Sequence, residues 1–172
     1  MNINYQDYIP ADFGDSSKVW VYQSNRLFTI GEALEIEEML NDFITSWNSH
    51  GLPVKGYANM LFGQFIVIMA DETQSELGGC GVDDSIHTIQ EIEKRFKVSM
   101  FDRQSLAFII KGKVERLPYS QFNYAMLNGF ITPYTEYFNN LVSTKEDFLH
   151  NWLVPVKDSW LAAKIDGHRE KV

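Results

Sequence analysis

The chain has one cysteine, Cys80, and it lies in the glycine-rich segment 77–85, LGGCGVDDS. The pattern predicts a loop here, followed by a helix that starts near Asp84. A thiol just before a helix N-terminus can serve as a nucleophile when an imidazole lies within reach. The sequence therefore supports an enzyme hypothesis with Cys80 as the nucleophile and His87 as the base. The neighbouring acids argue against an activated thiol, and the alternative is a buried, unreactive cysteine.

The same segment has the composition of an anion-binding turn, because glycines ahead of a helix expose backbone N–H groups. Two aspartates at the predicted helix start oppose this hypothesis, since they already place negative charge at the positive end of the helix dipole. The alternative is a loop that uses glycine for its backbone angles. The candidate ligand-binding residues of this region are Asp71, Gly79, Gly81, Asp83, Asp84 and Ser85.

A third pattern in this region is typical of divalent-metal sites. Asp83, His87 and Glu91 are four residues apart, so they lie along one face of the predicted helix. With Asp71 or Glu72 at the end of the preceding strand, they would offer carboxylate oxygens and one imidazole to a metal ion. The alternative is a solvated acidic face with His87 hydrogen-bonded to Glu91. Spacing alone does not decide between these, so no residue is assigned as a metal ligand and the cofactor is unknown.

Two arginines complete the set of candidate ligand-binding residues, and both lie at predicted strand ends. Arg26 follows the first strand, and Arg103 follows Phe101 and Asp102 just before a later strand. Together with Tyr22, these side chains form either a structural clamp, through an arginine–aspartate pair, or part of a pocket.

The elements that position these residues alternate along the chain. Thr29, with Glu32 three residues later, matches a capping box and starts an amphipathic helix. The apolar run 65–70 does not alternate, which predicts a strand buried on both faces. Strands are also predicted at 18–23, 54–62 and 105–110, and a second helix at 84–96. The order β-α-β-β-α-β predicts an α+β fold of the ferredoxin-like type, in which two helices cover one face of a four-stranded antiparallel sheet.

The prediction divides the chain into three parts. Residues 1–17 are polar and turn-rich and are expected to form an N-terminal arm. Residues 18–117 are expected to form the α+β core. Residues 118–172 are expected to form a C-terminal extension of helix and strand packed on that core, with a second capping box at residues 143–146.

Composition disfavours several classes of partner. The net charge of −8 opposes nonspecific binding to nucleic acid or to anionic membranes. The longest apolar run is too short to cross a bilayer, and the N-terminus does not resemble a signal peptide. A single cysteine gives no internal disulfide. We therefore expect a cytoplasmic protein that binds no nucleic acid and no membrane, and whose partner is another protein or a second copy in a homodimer.

Several segments carry a family resemblance. They are VWVYQSNR at 19–26, GCGVDDSIH at 79–87, FDR at 101–103, FNNLVSTK at 138–145, Trp152, and VPVKDSW at 154–160. Through them the chain resembles, from about Val19 onward, an uncharacterised family of Bacteroidetes proteins whose members are often named ABC transporter ATPases. The resemblance implies no activity. The nucleotide-binding motif G-x-x-x-x-G-K-[ST] is absent, because in the nearest segment, 78–85, aspartates replace its second glycine and its lysine.

The leading functional hypothesis is a non-catalytic binding or protein-interaction domain. It depends on the lack of a recognisable catalytic set, on the acidic composition, and on a C-terminal part that could present or cover a face. The alternatives are the enzyme built on Cys80 and His87, and a divalent-metal site in the acidic segment 71–91.

Overall fold

The computed structural model describes residues 4–169, with the side chains of residues 4–165. Within them, strands β1, β5 and β4 form the first sheet, strands β7, β6, β8 and β9 form the second sheet, and β2 and β3 form a short ribbon. The strands are β1 (Lys18–Gln23), β2 (Asn48–Ser49), β3 (Leu52–Pro53), β4 (Lys55–Leu61), β5 (Phe65–Asp71), β6 (Ser105–Ile110), β7 (Lys113–Pro118), β8 (Glu136–Phe138) and β9 (Leu153–Pro155). The α-helices are α1 (Ile30–Ser46), α2 (Gly79–Phe96), α3 (Phe122–Leu127), α4 (Lys145–Asn151) and α5 (Ala162–Arg169).

Mixed helix and antiparallel strand confirm the α+β class. None of the described helices combines the length and hydrophobicity that crossing a membrane would require.

Strand β5 is the centre of the first sheet, and all of its residues are buried. Ile66 and Ile68 lie on one face, in a cluster with residues of α1 and α2. Phe65 and Val67 lie on the other face, in a cluster with the N-terminal segment, α4 and the second sheet. The prediction of a strand covered on both faces is confirmed. Each such side chain contributes about 1.5–3 kcal/mol when it is fully buried.

The ferredoxin-like arrangement is not confirmed. Strands β1, β4 and β5 share one sheet, but the strand predicted at 105–110 forms β6 in the second sheet. The edge of β1, where a fourth strand could add, is occupied by a loop. The N–H of Val19 donates to the carbonyl of Ser143 at 3.0 Å, and Lys18 pairs with Thr144. The edge is already hydrogen-bonded at this point, so β6 takes its strand partners from β7 and β8 instead.

The second sheet packs face to face on the first sheet. Ala107 of β6 joins Phe65 and Phe138 in the cluster between the two sheets. Leu106 and Phe108 lie in a separate cluster with residues of α3 and with residues after β9. Both faces of β6 are therefore covered, which explains why its sequence is apolar at successive positions.

Residues of the predicted N-terminal arm and C-terminal extension meet in the cluster between the sheets. The rings of Phe148 and Trp152 stack at 4.8 Å between centroids, and Tyr5 contacts both of them edge-on. The Tyr5 hydroxyl donates to the carbonyl of Phe148 at 3.0 Å. Aromatic pairs of this geometry add about 0.5–1.5 kcal/mol to the free energy of their burial.

Capping decides where two helices begin. At α1 the predicted capping box is confirmed: Glu32 N–H donates to Thr29 Oγ1 at 3.2 Å, and Thr29 N–H donates to Glu32 Oε2 at 2.9 Å. The box predicted at residues 143–146 is wrong by one residue. There the N-cap is Thr144, whose hydroxyl accepts the N–H of Asp147 at 3.1 Å.

Candidate functional site

The segment around Cys80 is not a loop. Helix α2 starts at Gly79, with Gly78 as its N-cap, so Cys80 lies in the first helical turn and is exposed. Neither Gly79 nor Gly81 has a positive φ. Close packing explains one of them: a Cβ at Gly81 would collide with the Leu77 side chain. The prediction of a loop that needs glycine for its backbone angles is therefore wrong.

Cys80 and His87 lie on the same side of α2 but two turns apart. Seven residues at the helical rise of 1.5 Å separate their backbones by about 10 Å. A base must come within about 3 Å of the proton donor that it serves. Both side chains are exposed, and this rigid spacing along one helix holds them apart. The structure does not assemble the predicted nucleophile and base.

Asp71 is a structural residue. Its carboxylate is buried and accepts the N–H groups of Gly14 at 3.0 Å and Thr73 at 2.9 Å, and Lys55 Nζ lies 3.6 Å away. The hydrogen bonds from Gly14 and then Thr73 lower the Asp71 pKa to about 2. The side chain ties the N-terminal segment to the end of β5.

The remaining acids of the region do not converge on a common point. Asp83 and Asp84 are exposed on α2, and the buried Ser85 hydroxyl donates to the Val82 carbonyl at 2.6 Å. Across the part of the chain that the structure describes, no group of three or more His, Cys, Asp or Glu side chains could hold a metal ion. The set of metal ligands predicted around His87 is not assembled.

Arg26 is held in a clamp. Its guanidinium forms two hydrogen bonds of 2.8 Å to the carboxylate of Glu32, and it donates to the carbonyl of Phe96 at 2.8 Å. The hydrogen bond from Arg26, with a smaller contribution from the backbone of Thr29, lowers the Glu32 pKa to about 2. The clamp joins the start of α1 to the end of α2, so this arginine is already engaged.

Arg103 lies at a crevice between the two sheets. The crevice opens where β1 and β6 lie near each other without pairing as strands, and its volume is about 100 Å³. Its lining comes from the end of β1, from the segment leading into β6, from residues 137–141 and from Trp160. Of the predicted candidate residues, the crevice brings together Arg103, Asp102, Phe101 and Tyr22.

A chain of hydrogen bonds between side chains forms one wall of the crevice. The indole N–H of Trp152 donates to Asn140 Oδ1 at 2.9 Å, and Asn140 Nδ2 donates to Gln23 Oε1 at 2.9 Å. Gln23 Nε2 then donates to the carbonyl of Ser105 at 3.2 Å. The chain links α4, the loop after β8, β1 and β6. Each amide nitrogen carries two hydrogens, and this network uses one from each.

Apolar side chains and one cation form the opening of the crevice. Phe101 and Trp160 are 40% and 42% exposed, so part of each ring faces solvent. Trp160 Nε1 donates to the Tyr137 hydroxyl at 3.1 Å, which fixes the indole. Arg103 is exposed and forms no ion pair with any described residue. Burial raises the pKa of the Tyr22 phenol, and the charge of Arg103 partly opposes that effect.

Sequence reasoning missed Gln23, Asn140, Tyr137 and Trp160 as parts of this site. The signal available for Gln23 was a polar residue at the end of a strand otherwise rich in apolar side chains. Nothing in the local sequence distinguishes Asn140 from a surface asparagine. These residues come together only because the second sheet packs on the first.

Comparison with known proteins found no matching family model, no matching curated protein and no matching solved structure. The resemblance to the Bacteroidetes family therefore stays a prediction, and the function is argued from the geometry of the site.

Proposed function

We propose that the protein is a non-catalytic binding domain whose crevice takes a small ligand with a flat apolar group and a carboxylate. The observation that carries this proposal is the guanidinium of Arg103, which forms no ion pair with any described residue and lies beside a crevice lined by partly exposed aromatic rings. Guanidinium groups bind carboxylates through two parallel hydrogen bonds, which favours a planar carboxylate over other acceptors.

The other features of the crevice support the same class of ligand. Phe101 and Trp160 offer apolar surface at the opening, where a ring could pack in an offset or edge-on geometry. The amides of Gln23 and Asn140 are held in place by bonds to their neighbours, so an added hydrogen bond from a ligand would not require them to reorder.

Binding without chemistry is favoured because the crevice contains no recognisable nucleophile and base. Its described lining has no cysteine and no histidine. The carboxylate of Asp102 is exposed and accepts the N–H of Gln104 at 2.9 Å. The enzyme hypothesis built on Cys80 gains no support, since its proposed base lies two helical turns away.

The test is titration of the ¹⁵N-labelled protein with benzoate and with its neutral isostere benzamide. We expect saturable shifts of the Trp160 indole and the Gln23 side-chain amide, with benzoate bound more tightly. Arg103→Gln should weaken benzoate binding up to about fivefold, since an exposed ion pair contributes up to about 1 kcal/mol. Arg116→Gln, which removes an exposed arginine outside the crevice lining, is the matched control.

Equal affinities for benzoate and benzamide would contradict the proposal, as would unchanged benzoate affinity in Arg103→Gln. Shifts confined to residues outside the crevice would place the ligand elsewhere and would also contradict it.

A further inference from the structure

Natural proteins protect the edges of their sheets from pairing with other chains, and in the described residues three of the four edges of the two larger sheets are protected. The edge of β1 is hydrogen-bonded to the loop at Ser143. Strand β7 carries Lys113, Glu115 and Arg116 and ends in a proline, and β9 has only three residues. Strand β4 has seven residues, and its one charged side chain, Lys55, lies near the buried Asp71. The β4 edge is therefore the exception.

Most of the outward backbone groups along the β4 edge have no hydrogen-bond partner within the described part of the chain. Residues of an antiparallel strand bond alternately to one side and the other. The N–H of Ser24 donates to the carbonyl of Gln64 at 2.8 Å, so even-numbered residues of β5 face β1 and odd-numbered ones face β4. On β4, this alternation directs the backbone N–H and C=O groups of Gly56, Ala58 and Met60 away from β5, toward the open edge. Among the described bonds, only the Met60 N–H has a partner there, the Asn59 side chain at 2.8 Å.

A groove runs beside this edge. Helix α1 forms its other wall, and its volume is about 310 Å³. Ile30 and Leu34 of α1 line the groove and are 83% and 60% exposed. Exposed apolar residues on a helix beside an open strand edge match the recognition mode in which an extended peptide adds a strand to a sheet. The peptide backbone would pair with β4, and its alternate side chains would contact α1.

The charge of α1 selects the kind of partner. Glu37 lines the groove, and Glu38 and Asp42 lie nearby on the same helix. None of the three has an ion-pair partner in the described chain, and α1 contains no lysine or arginine. We infer that β4 and α1 form a docking site for an extended segment of a partner protein in which every second side chain faces α1. These α1-facing side chains are apolar beside Ile30 and Leu34 and basic beside Glu37.

The acidic charge of α1 also disfavours a second copy of this chain as the partner. Pairing two β4 edges would bring two acidic α1 helices together, in a protein that already has a net charge of −8. Like charges at an interface cost binding energy and suppress the wrong partner. The docking site is distinct from the crevice, whose lining shares no residue with the groove.

The experiment uses three blocked peptides that match the seven residues of β4. In the first peptide, every second residue would face α1, and these residues are valine and lysine in turn, with threonine between them. The second peptide has glutamate in place of lysine, and the third is the lysine peptide with N-methyl groups on the residues whose N–H groups would face β4. We expect the lysine peptide to bind and to protect the Gly56 and Ala58 amides from hydrogen exchange. The glutamate peptide should bind at least tenfold more weakly, and the N-methylated peptide should not bind, because it cannot donate hydrogen bonds to the edge.

Two variants and one control make the inference falsifiable. Ala58→Pro removes an outward N–H that β5 does not use, and it should weaken the lysine peptide at least tenfold. Glu37→Lys should weaken it at least fivefold and improve the glutamate peptide. Glu91→Lys reverses an exposed acid on α2 and should change neither affinity. The folding of each variant is checked by far-UV circular dichroism and by its thermal unfolding midpoint.

Three results would overturn the inference. One is the absence of protection at Gly56 and Ala58 with any peptide. The second is equal binding of the lysine and glutamate peptides. The third is sedimentation of the free protein as a dimer that Ala58→Pro dissociates, because the edge would then be used by a second copy.

Discussion

The start of α2 and the crevice teach opposite lessons about where a site can be found in this chain. The residues at the start of α2 are neighbours in sequence, and they have the composition of a catalytic or anion-binding loop. In the structure they form an ordinary helical turn, with Cys80 and His87 too far apart to cooperate. The crevice residues Gln23, Ser105 and Asn140 are far apart in sequence, yet they share one hydrogen-bonded chain.

The difference has a physical cause. A glycine in a sequence can mean a strained backbone angle or a lack of space, and only the packing separates the two. At Gly81 the explanation is space, since the Leu77 side chain and the indole of Trp47, which donates to the Gly81 carbonyl at 2.9 Å, both lie close by. At the crevice, topology brings polar side chains from separate elements to one wall.

The largest expected effect comes from breaking the crevice wall. Asn140→Ala should lower the free energy of unfolding by about 3 kcal/mol, because the fully buried indole N–H of Trp152 loses its acceptor and Gln23 loses its donor. Chemical denaturation measures this. Asn139→Ala is the neighbouring control and should cost less than about 1 kcal/mol, since its side chain makes one long bond, 3.3 Å, to the Leu141 N–H. Equal losses in the two variants would contradict a special role for Asn140.

A second comparison separates structural acids from solvated ones. The Asp71 pKa is about 2 in the folded chain against 3.8 in a model compound, so the folded state binds fewer protons. Its contribution, about 2 kcal/mol, is present above about pH 4 and is lost as the pH falls toward 2. Asp71→Asn should remove that contribution at neutral pH. The free energy of unfolding of this variant should also fall less steeply than that of the parent protein as the pH drops from about 4 toward 2. Asp84→Asn should change neither the free energy of unfolding at neutral pH nor its decrease in acid. A loss in Asp84→Asn as large as that in Asp71→Asn would contradict the separation of structural acids from solvated ones.

The glycines at the start of α2 give the third prediction. Gly81→Val should lower the free energy of unfolding by about 1.5 kcal/mol, because the new side chain overlaps Leu77. Gly79→Ala meets no atom within 4 Å and should be neutral or slightly stabilising. Thermal unfolding of both variants measures the difference. Destabilisation by Gly79→Ala would mean that the segment is a loop with special backbone angles after all.

The smallest expected effect concerns the cysteine. Cys80 is exposed, so iodoacetamide should label it fully in the native protein. His87→Ala should leave the labelling rate unchanged at every pH tested, because the imidazole is about 10 Å away along α2. Slower labelling of Cys80 in a folded His87→Ala variant would support the hypothesis that His87 activates Cys80.

Features that depend on local chemistry could be predicted from the sequence. The capping box at Thr29 requires only two side chains three residues apart, and Gly63 marks a hairpin turn through its positive φ of 63°. The unbroken apolar run of β5 indicated burial on both faces. Features that depend on the partners of an element could not be predicted. The run at β6 fits a strand in either sheet, and the sequence does not show that the loop at Ser143 takes part of the β1 edge while β7 and β8 pair with β6.

The central claim is that ligand chemistry belongs to the crevice and not to the start of α2. A benzoate titration of the ¹⁵N-labelled protein, followed residue by residue, tests it most directly. The claim predicts saturating shifts at the Trp160 indole and at the side-chain amides of Gln23 and Asn140, with the Gly79 and Cys80 amides unmoved. Saturating shifts at Gly79 and Cys80, with a silent crevice, would contradict it.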